Sequence, residues 1–261
     1  MNFGRNVKGN GVVKERLEQV KERIAAACQK ANRHPSEVKI VAVTKTHPVD
    51  VVREVIEAGI NDIGENRVQE AEQKYSQIIS DYSNTEKGIS SNPPNQDNLQ
   101  WHMVGHLQRN KVKKAVSIFS MIHSVDSLRL AEEIEKESVI RDRLTPCLIE
   151  VNCSGEESKF GVSPNDLATL MSNILKMEHI KLVGLMTIGP LCEDSGRIRS
   201  AFSLLRELRD RAENVFGCYL PHLSMGMSDD FEIAVEEGAT IIRLGRVLLG
   251  RRNSAEGLTS P

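Results

Sequence analysis

Apolar residues along the chain follow two spacings in turn. Val13, Leu17, Val20, Ile24, Cys28 and Ala31 recur every three or four residues, with Lys14, Glu15, Glu18, Lys21 and Glu22 between them, which predicts an amphipathic first helix. Ile40, Val41, Ala42 and Val43 then run together, the pattern of a short strand buried on both faces; it leads to Lys45 and Thr46, and Pro48 stops it. Val51, Val52, Val55 and Ile56, closed by Gly59, return to helical spacing. Asp62–Asn66 reads as a second strand and Val68–Ile79 as the next helix. Strand signals recur at Leu99–Val104, Met121–Val125, Pro146–Val151, Lys181–Met186, Leu220–Met225 and Thr240–Leu244. Helical candidates fill the intervals at Asn110–Ser117, Ser127–Arg141, Asn165–Met177, Gly196–Val215 and Ser228–Glu237. Eight short strands alternating with helices predict an α/β fold with a parallel sheet, and eight is the number that closes a single (β/α)8 TIM-type barrel. The first helix is extra to that count.

The barrel takes up residues 12–253 and leaves no room for a second domain. Residues 1–11 have the glycine and polar content of a flexible N-terminus, and 254–261 read as a flexible polar tail. Residues 83–98 are rich in Ser, Asn and Pro and lack apolar periodicity, so they are expected to form an inserted surface loop that the fold does not need.

Charge and cysteine usage narrow the partners. Lys+Arg 34 against Asp+Glu 36 gives a net charge of -2, so no global positive field draws the chain to nucleic acid or to an anionic membrane. The five cysteines form no CxxC pair, which fits reduced thiols serving as core filler. No apolar run approaches the roughly 20 residues of a membrane helix, and Met1 to Gly11 is too polar for a signal peptide. A soluble, cytoplasmic protein with small-molecule partners is expected.

In a barrel of this kind the functional face is the carboxyl end of the strands. The strand exits are polar and glycine-rich: Lys45-Thr46, Gly64-Glu65-Asn66, Gly105 to Gln108, Ser124 to Asp126, Asn152 to Lys159, Thr187 to Gly189, Ser224 to Ser228, and Gly245-Arg246. A lysine at the end of a buried strand can be partly desolvated, which favours the free amine and covalent chemistry; taken alone, the stretch favours the plainer outcome, a lysine that snorkels to water. Ser224 with Gly226 after the seventh strand, and Arg243, Gly245 and Arg246 closing the eighth, form the loop pair that holds phosphate in many barrels. Ser228 reads as the N-cap of the Phe231/Ala234/Val235 helix. His102 and His106 are four apart but lack the HExxH pattern, and strand alternation sets them at different heights, so no metal is expected. Lys159, flanked by Glu156 and Glu157, suits a salt bridge better than an imine. No Ser-His-Asp order, Walker loop or GxGxxG stretch supports a hydrolase, nucleotidase or dinucleotide reading.

Several motifs in order resemble the YggS/PROSC family of pyridoxal-phosphate-binding proteins over nearly the whole chain. They are Ala42-Val-Thr-Lys-Thr46, Gly64-Glu-Asn-Arg-Val-Gln-Glu70, Trp101 to Lys111, Ile122-His-Ser-Val-Asp126, Val151-Asn152 with Glu156 and Lys159-Phe-Gly161, Gly184-Leu-Met-Thr187, and Leu223-Ser-Met-Gly-Met-Ser-Asp229. The resemblance implies a barrel like the N-terminal domain of alanine racemase, with pyridoxal 5'-phosphate (PLP) as an internal aldimine on Lys45. It also implies a cofactor-binding set of Lys45, Asn66, Thr187, Ser224, Met225, Gly226, Arg243, Gly245 and Arg246. Two positions depart from the family pattern: Arg67 replaces a usual tyrosine, and Arg246 a usual serine or threonine, where an arginine can bind phosphate by charge. The family is associated with PLP supply and with amino- and keto-acid homeostasis rather than a settled reaction. A lone barrel also lacks the second domain that alanine-racemase-like enzymes recruit to complete a substrate site. The expected role is therefore a monomeric PLP carrier or buffer that hands cofactor to apo PLP-dependent enzymes, with no catalytic residues. The rivals are a low-activity racemase-like enzyme and a Schiff-base aldolase acting on a phosphorylated sugar.

Overall fold

The strands are Lys39–Val43 (β1), Asp62–Glu65 (β2), Gln100–Met103 (β3), Met121–Val125 (β4), Thr145–Glu150 (β5), Ile180–Met186 (β6), His222–Ser224 (β7) and Ile241–Leu244 (β8). All pairings are parallel and the sheet closes on itself in chain order, so β1 bonds to β8 with Ala42 opposite Leu244. The computed structural model describes residues 10–85, 98–156 and 158–250. The expected (β/α)8 barrel is thus present.

Strand alternation divides the apolar residues into two sets. Val41, Val43, Val104 and Ile241 form one interior cluster, Leu148, Val183 and Met186 a second, and Met121 packs against both. Gly64 completes the filling, because a Cβ there would lie 2.8 Å from Val41 Cγ1. The alternate residues, including Ala42, Ile63, Trp101, Ile122, Ile149, Leu185, Leu223 and Ile242, face outward into the shell shared with the helices.

The helices are Asn10–Lys30 (α1), Val49–Glu57 (α2), Val68–Thr85 (α3), Val112–Ile118 (α4), Leu128–Ile140 (α5), Leu167–Ile174 (α6), Ser195–Phe216 (α7), Phe231–Glu236 (α8) and Arg246–Leu249 (α9). The sequence pattern does not signal α9. It has only four residues, and α1 packs against α8, α9 and α2, covering the seam where β8 meets β1. Arg23 pairs with Glu232 at 2.6 Å and lies 4.5 Å from the centre of the Phe231 ring, while Arg33 Nη1 donates to Val235 O at 2.7 Å. The extra helix is therefore part of the barrel wall.

Three expectations need correction. Helix begins at Asn10 and α3 continues to Thr85, so regular structure enters the stretches 1–11 and 83–98; the rest of them, 86–97 and 1–9, and the 254–261 tail lie outside the described residues. Ser228 is not the cap of α8, which starts after Asp230. Asp230 Oδ1 accepts from the Met227 amide at 2.6 Å, and the Ser228 hydroxyl accepts from Val247 in α9 at 3.3 Å. All five cysteines are free, but only Cys28 and Cys147 are buried; Cys153, Cys192 and Cys218 are half-buried. Among the described residues, no helix is long and apolar enough to cross a membrane.

Candidate functional site

Lys45 stands two residues past the end of β1 on the inward parity of Val41 and Val43. It is exposed, which corrects the expectation of a partly desolvated amine: the strand stops at Val43 and a turn lifts Lys45 to the mouth. That turn is held from beneath. Thr46 has φ 64, a left-handed conformation unusual for a β-branched residue, and its amide donates to Glu70 Oε1. Lys74 of α3, almost wholly buried, donates to Thr44 O at 2.8 Å, Glu65 Oε1 at 2.7 Å and Glu70 Oε1 at 2.7 Å. The Thr44 hydroxyl adds a 2.6 Å bond to Glu65 Oε1. Burial raises the pKa of Glu65, with Lys74 and Thr44 opposing it.

The second half of the site lies at the exits of β6, β7 and β8. Arg243 is buried at 5% exposure and forks between the Ser224 hydroxyl, at 2.7 Å, and the Thr187 carbonyl, at 2.9 Å. Thr187 turns its own hydroxyl to Val151 O at 2.7 Å. Burial depresses Arg243 to about 10, against the pull of Glu150 and Asp230. Burial likewise pushes Glu150 up to about 7, with Arg243 opposing. Gly226 has φ 93, and a Cβ there would stand 2.6 Å from Ala234 Cβ, so the turn after Ser224 requires glycine. Met225 packs its side chain in the outer shell and commits its amide to Ile241 O at 3.1 Å. Gly245 passes Val43 so closely that a Cβ would lie 3.3 Å from Val43 O, which brings the β8 exit beside the Lys45 turn. Arg246 turns its side chain to Asp229 in an exposed ion pair.

Asn66 lies at the β2 exit and lines a cleft of about 420 Å³ with Arg67, Gln69, His106, Gln108 and Lys111. Gly105 passes against it, since a Cβ there would be 2.6 Å from Asn66 O. His106 stacks on Phe160 at 3.9 Å between ring centres, and its Nδ1 is 3.2 Å from Asp126. Lys159 bonds Glu156 and Gly189 O, each at 2.8 Å, the salt-bridge role its sequence neighbours suggest. Cleft volume does not single out the lysine turn: a cleft of about 520 Å³ opens between the β5 and β6 exits and the start of α7, and one of about 230 Å³ lies between α6 and α7. Its case rests on chemistry and position.

Sequence reasoning missed a row of polar side chains inside the barrel. His123 Nδ1 is 2.9 Å from Ser224 Oγ, His123 Nε2 is 3.0 Å from His102 Nδ1, and His102 Nε2 is 2.9 Å from Asp62 Oδ1. Lys39 reaches the same carboxylate oxygen at 3.0 Å. Burial holds His123 well below its usual range, so it is neutral, with His102 and Arg243 adding to the effect. Burial alone would raise Asp62, but His102 and Lys39 outweigh it and keep the carboxylate ionised. His102 therefore points into the barrel while His106 lies on the rim. Among the described residues no group of three His, Cys, Asp or Glu side chains is placed to hold a metal ion.

Comparison with known proteins fits this arrangement. Residues 16–253 match the family described as alanine racemase, N-terminal domain. A pyridoxal phosphate homeostasis protein of Aquifex aeolicus is 43% identical over 238 residues, covering 91% of this chain and 97% of its own. A protein of the same name in Pseudomonas aeruginosa is 38% identical, covering 92% and 96%. The structure of PipY from Synechococcus elongatus with PLP bound superposes with a TM-score of 0.76 at 32% identity, covering 91% of this chain and 100% of PipY. The resemblance drawn from the motifs is confirmed, and this chain belongs to the alanine racemase N-terminal domain family, among its pyridoxal phosphate homeostasis proteins.

Proposed function

We propose that the chain binds pyridoxal 5'-phosphate at the carboxyl mouth of the barrel and carries or buffers it for intracellular PLP and amino-acid homeostasis. The observation that carries this reading is the closure of the barrel. Pairing of β1 with β8 sets the lysine turn beside the Ser224, Arg243 and Gly245 exits, so a primary amine and an anion-binding loop pair share one opening. The donor set fits the cofactor: an amine for the aldehyde, a hydroxyl and glycine turns for the phosphate, and a guanidinium for the pyridine ring. When bound, PLP supplies an aldehyde that bonds amines reversibly. Lys45 is the amine, Ser224 with the Gly226, Gly245 and Arg246 backbone holds the phosphate, and Thr187 and Met225 frame that end. Asn66 supports the ring, and Arg243 faces its nitrogen, keeping it unprotonated and a poor electron sink, which suits storage.

In this reading the protein acts as a monomer that releases PLP to apo-enzymes. The purified protein is expected to show the visible absorbance of lysine-bound PLP, to lose it in Lys45→Ala, and to restore activity to an apo PLP enzyme. A colourless protein that does not respond to added PLP would sink the reading. Exchange of the α-hydrogen of amino acids for deuterium, dependent on Lys45, would replace storage with catalysis.

A further inference from the structure

The row from Asp62 to Ser224 has a directional property that the cofactor reading leaves unused. Each bond in it needs one proton, and the donors can be assigned in turn. Ionised Asp62 only accepts, so His102 Nε2 carries hydrogen. With both rings neutral, His102 Nδ1 is bare and accepts from His123 Nε2–H. His123 Nδ1 is then bare and takes the hydroxyl hydrogen of Ser224. Arg243 donates to the same oxygen. In this state the only proton of Ser224 is committed inward, and the serine presents a lone pair to the mouth, which repels an anion.

One added proton reverses the whole row and breaks no bond. If His102 is protonated on both nitrogens, Nδ1–H donates to His123 Nε2 and Nε2–H still donates to Asp62. His123 Nδ1–H then donates to Ser224, which accepts from both His123 and Arg243 and can turn its hydrogen to a phosphate oxygen. The positive charge rests on His102 against the Asp62 carboxylate, whose side chain is 17% exposed and so provides a path for the proton from solvent.

We infer that the buried row His102–His123–Ser224 couples binding of a phosphate dianion at the barrel mouth to uptake of one proton. His102 and His123 are positioning residues, acting through Ser224. The groups facing the row are Lys39 from β1, Asp62 from β2, His222 from β7 and Arg243 from β8, with Glu150 from β5 acting on Arg243. Burial, together with the neighbouring charges, keeps a proton off His123, so the proton that the row takes up rests on His102 against Asp62. A bound dianion attracts that added positive charge, which gives the coupling its sign. Affinity for phosphate-bearing ligand should fall as pH rises, by up to about tenfold per pH unit.

The inference takes its ligand from the proposed PLP site. Two measurements on the full chain with pyridoxine 5'-phosphate, whose alcohol cannot bond Lys45, test it. Ring-nitrogen NMR of the wild type should show His123 Nδ1 bare without ligand and protonated with it. Calorimetry in buffers of different ionisation enthalpy should show about one proton more taken up by the wild type than by His123→Asn or His102→Gln. The side-chain amides need no added proton, and protons of the ligand itself cancel in the comparison. Ligand bound with His123 Nδ1 still bare, or equal uptake in wild type and variants, would overturn the relay and leave the PLP reading standing. Absence of both binding and visible absorbance with PLP would overturn the two together.

Discussion

Lys74 offers the sharpest test of how the lysine turn is built. The Lys74→Met variant keeps the aliphatic volume and removes the ammonium that bonds Thr44 O, Glu65 and Glu70. Glu65 is 0% exposed and its Oε2 already lacks a partner, so the variant leaves its carboxylate with the Thr44 hydroxyl alone. Removing one partner of a buried ion pair costs about 3–5 kcal/mol. At about 2–4 °C per kcal/mol for a chain of this size, melting should drop by roughly 6–20 °C. The loss depends on pH with a definite sign. Burial already sets the folded pKa of Glu65 above its unfolded value, and removing Lys74 raises it further. The contribution of such a group is fully present below its unfolded pKa and is lost as pH rises through the folded one. The penalty should be larger near pH 8 than at about pH 5, because protonation of Glu65 as pH falls toward the carboxylate range removes the need for a counter-charge. Urea unfolding at the two pH values measures it, and Glu65→Gln added to Lys74→Met should recover most of the loss at pH 8. A deficit under about 1 kcal/mol, or one that does not change with pH, would refute the argument that this ammonium is held by a buried charge.

Two further outcomes follow from packing and burial. Gly105→Ala would drive a methyl to 2.6 Å from Asn66 O; the backbone must move, costing about 1–3 kcal/mol of stability and weakening PLP affinity, read by denaturation and by absorbance titration. Glu150, pushed up to about 7, contributes stability that is full below its unfolded pKa near 4.5 and is lost as pH rises through 7. Glu150→Gln should flatten the stability profile across that window and gain up to roughly 3 kcal/mol at pH 8, trimmed by the charge left on Arg243; a profile as steep as wild type would refute it.

The barrel was legible because its strands are buried on both faces and break a helical period that otherwise runs through the chain. Ile40 to Val43 cannot be mistaken for one stripe of a surface helix. Boundaries were less legible where one side chain decides them. Ser228 carries a strong capping residue type, yet its hydroxyl belongs to α9, which lies 19 positions further on. No local pattern announces a four-residue helix.

The site divides along the same line. Lys45 stands out because it terminates an apolar run, and the glycines near Ser224 and Arg243 because a loop pair needs them. What sequence spacing suggested for His102 was a relation to His106, four residues away on the same segment. Its actual partners are His123, 21 positions along, and Asp62, 40 positions back. These contacts arise because β2, β3 and β4 are adjacent and because Asp62, His102 and His123 all fall on the inward parity of their strands. Parity can be read from a strand, but shear between strands cannot, and it is shear that sets three polar residues at successive heights within bonding distance. Glu65 and Lys74 were hidden for the same reason. A carboxylate at a strand exit and a lysine in a polar helix look like solvated charges until the helix is laid on the barrel, where each becomes the condition for burying the other.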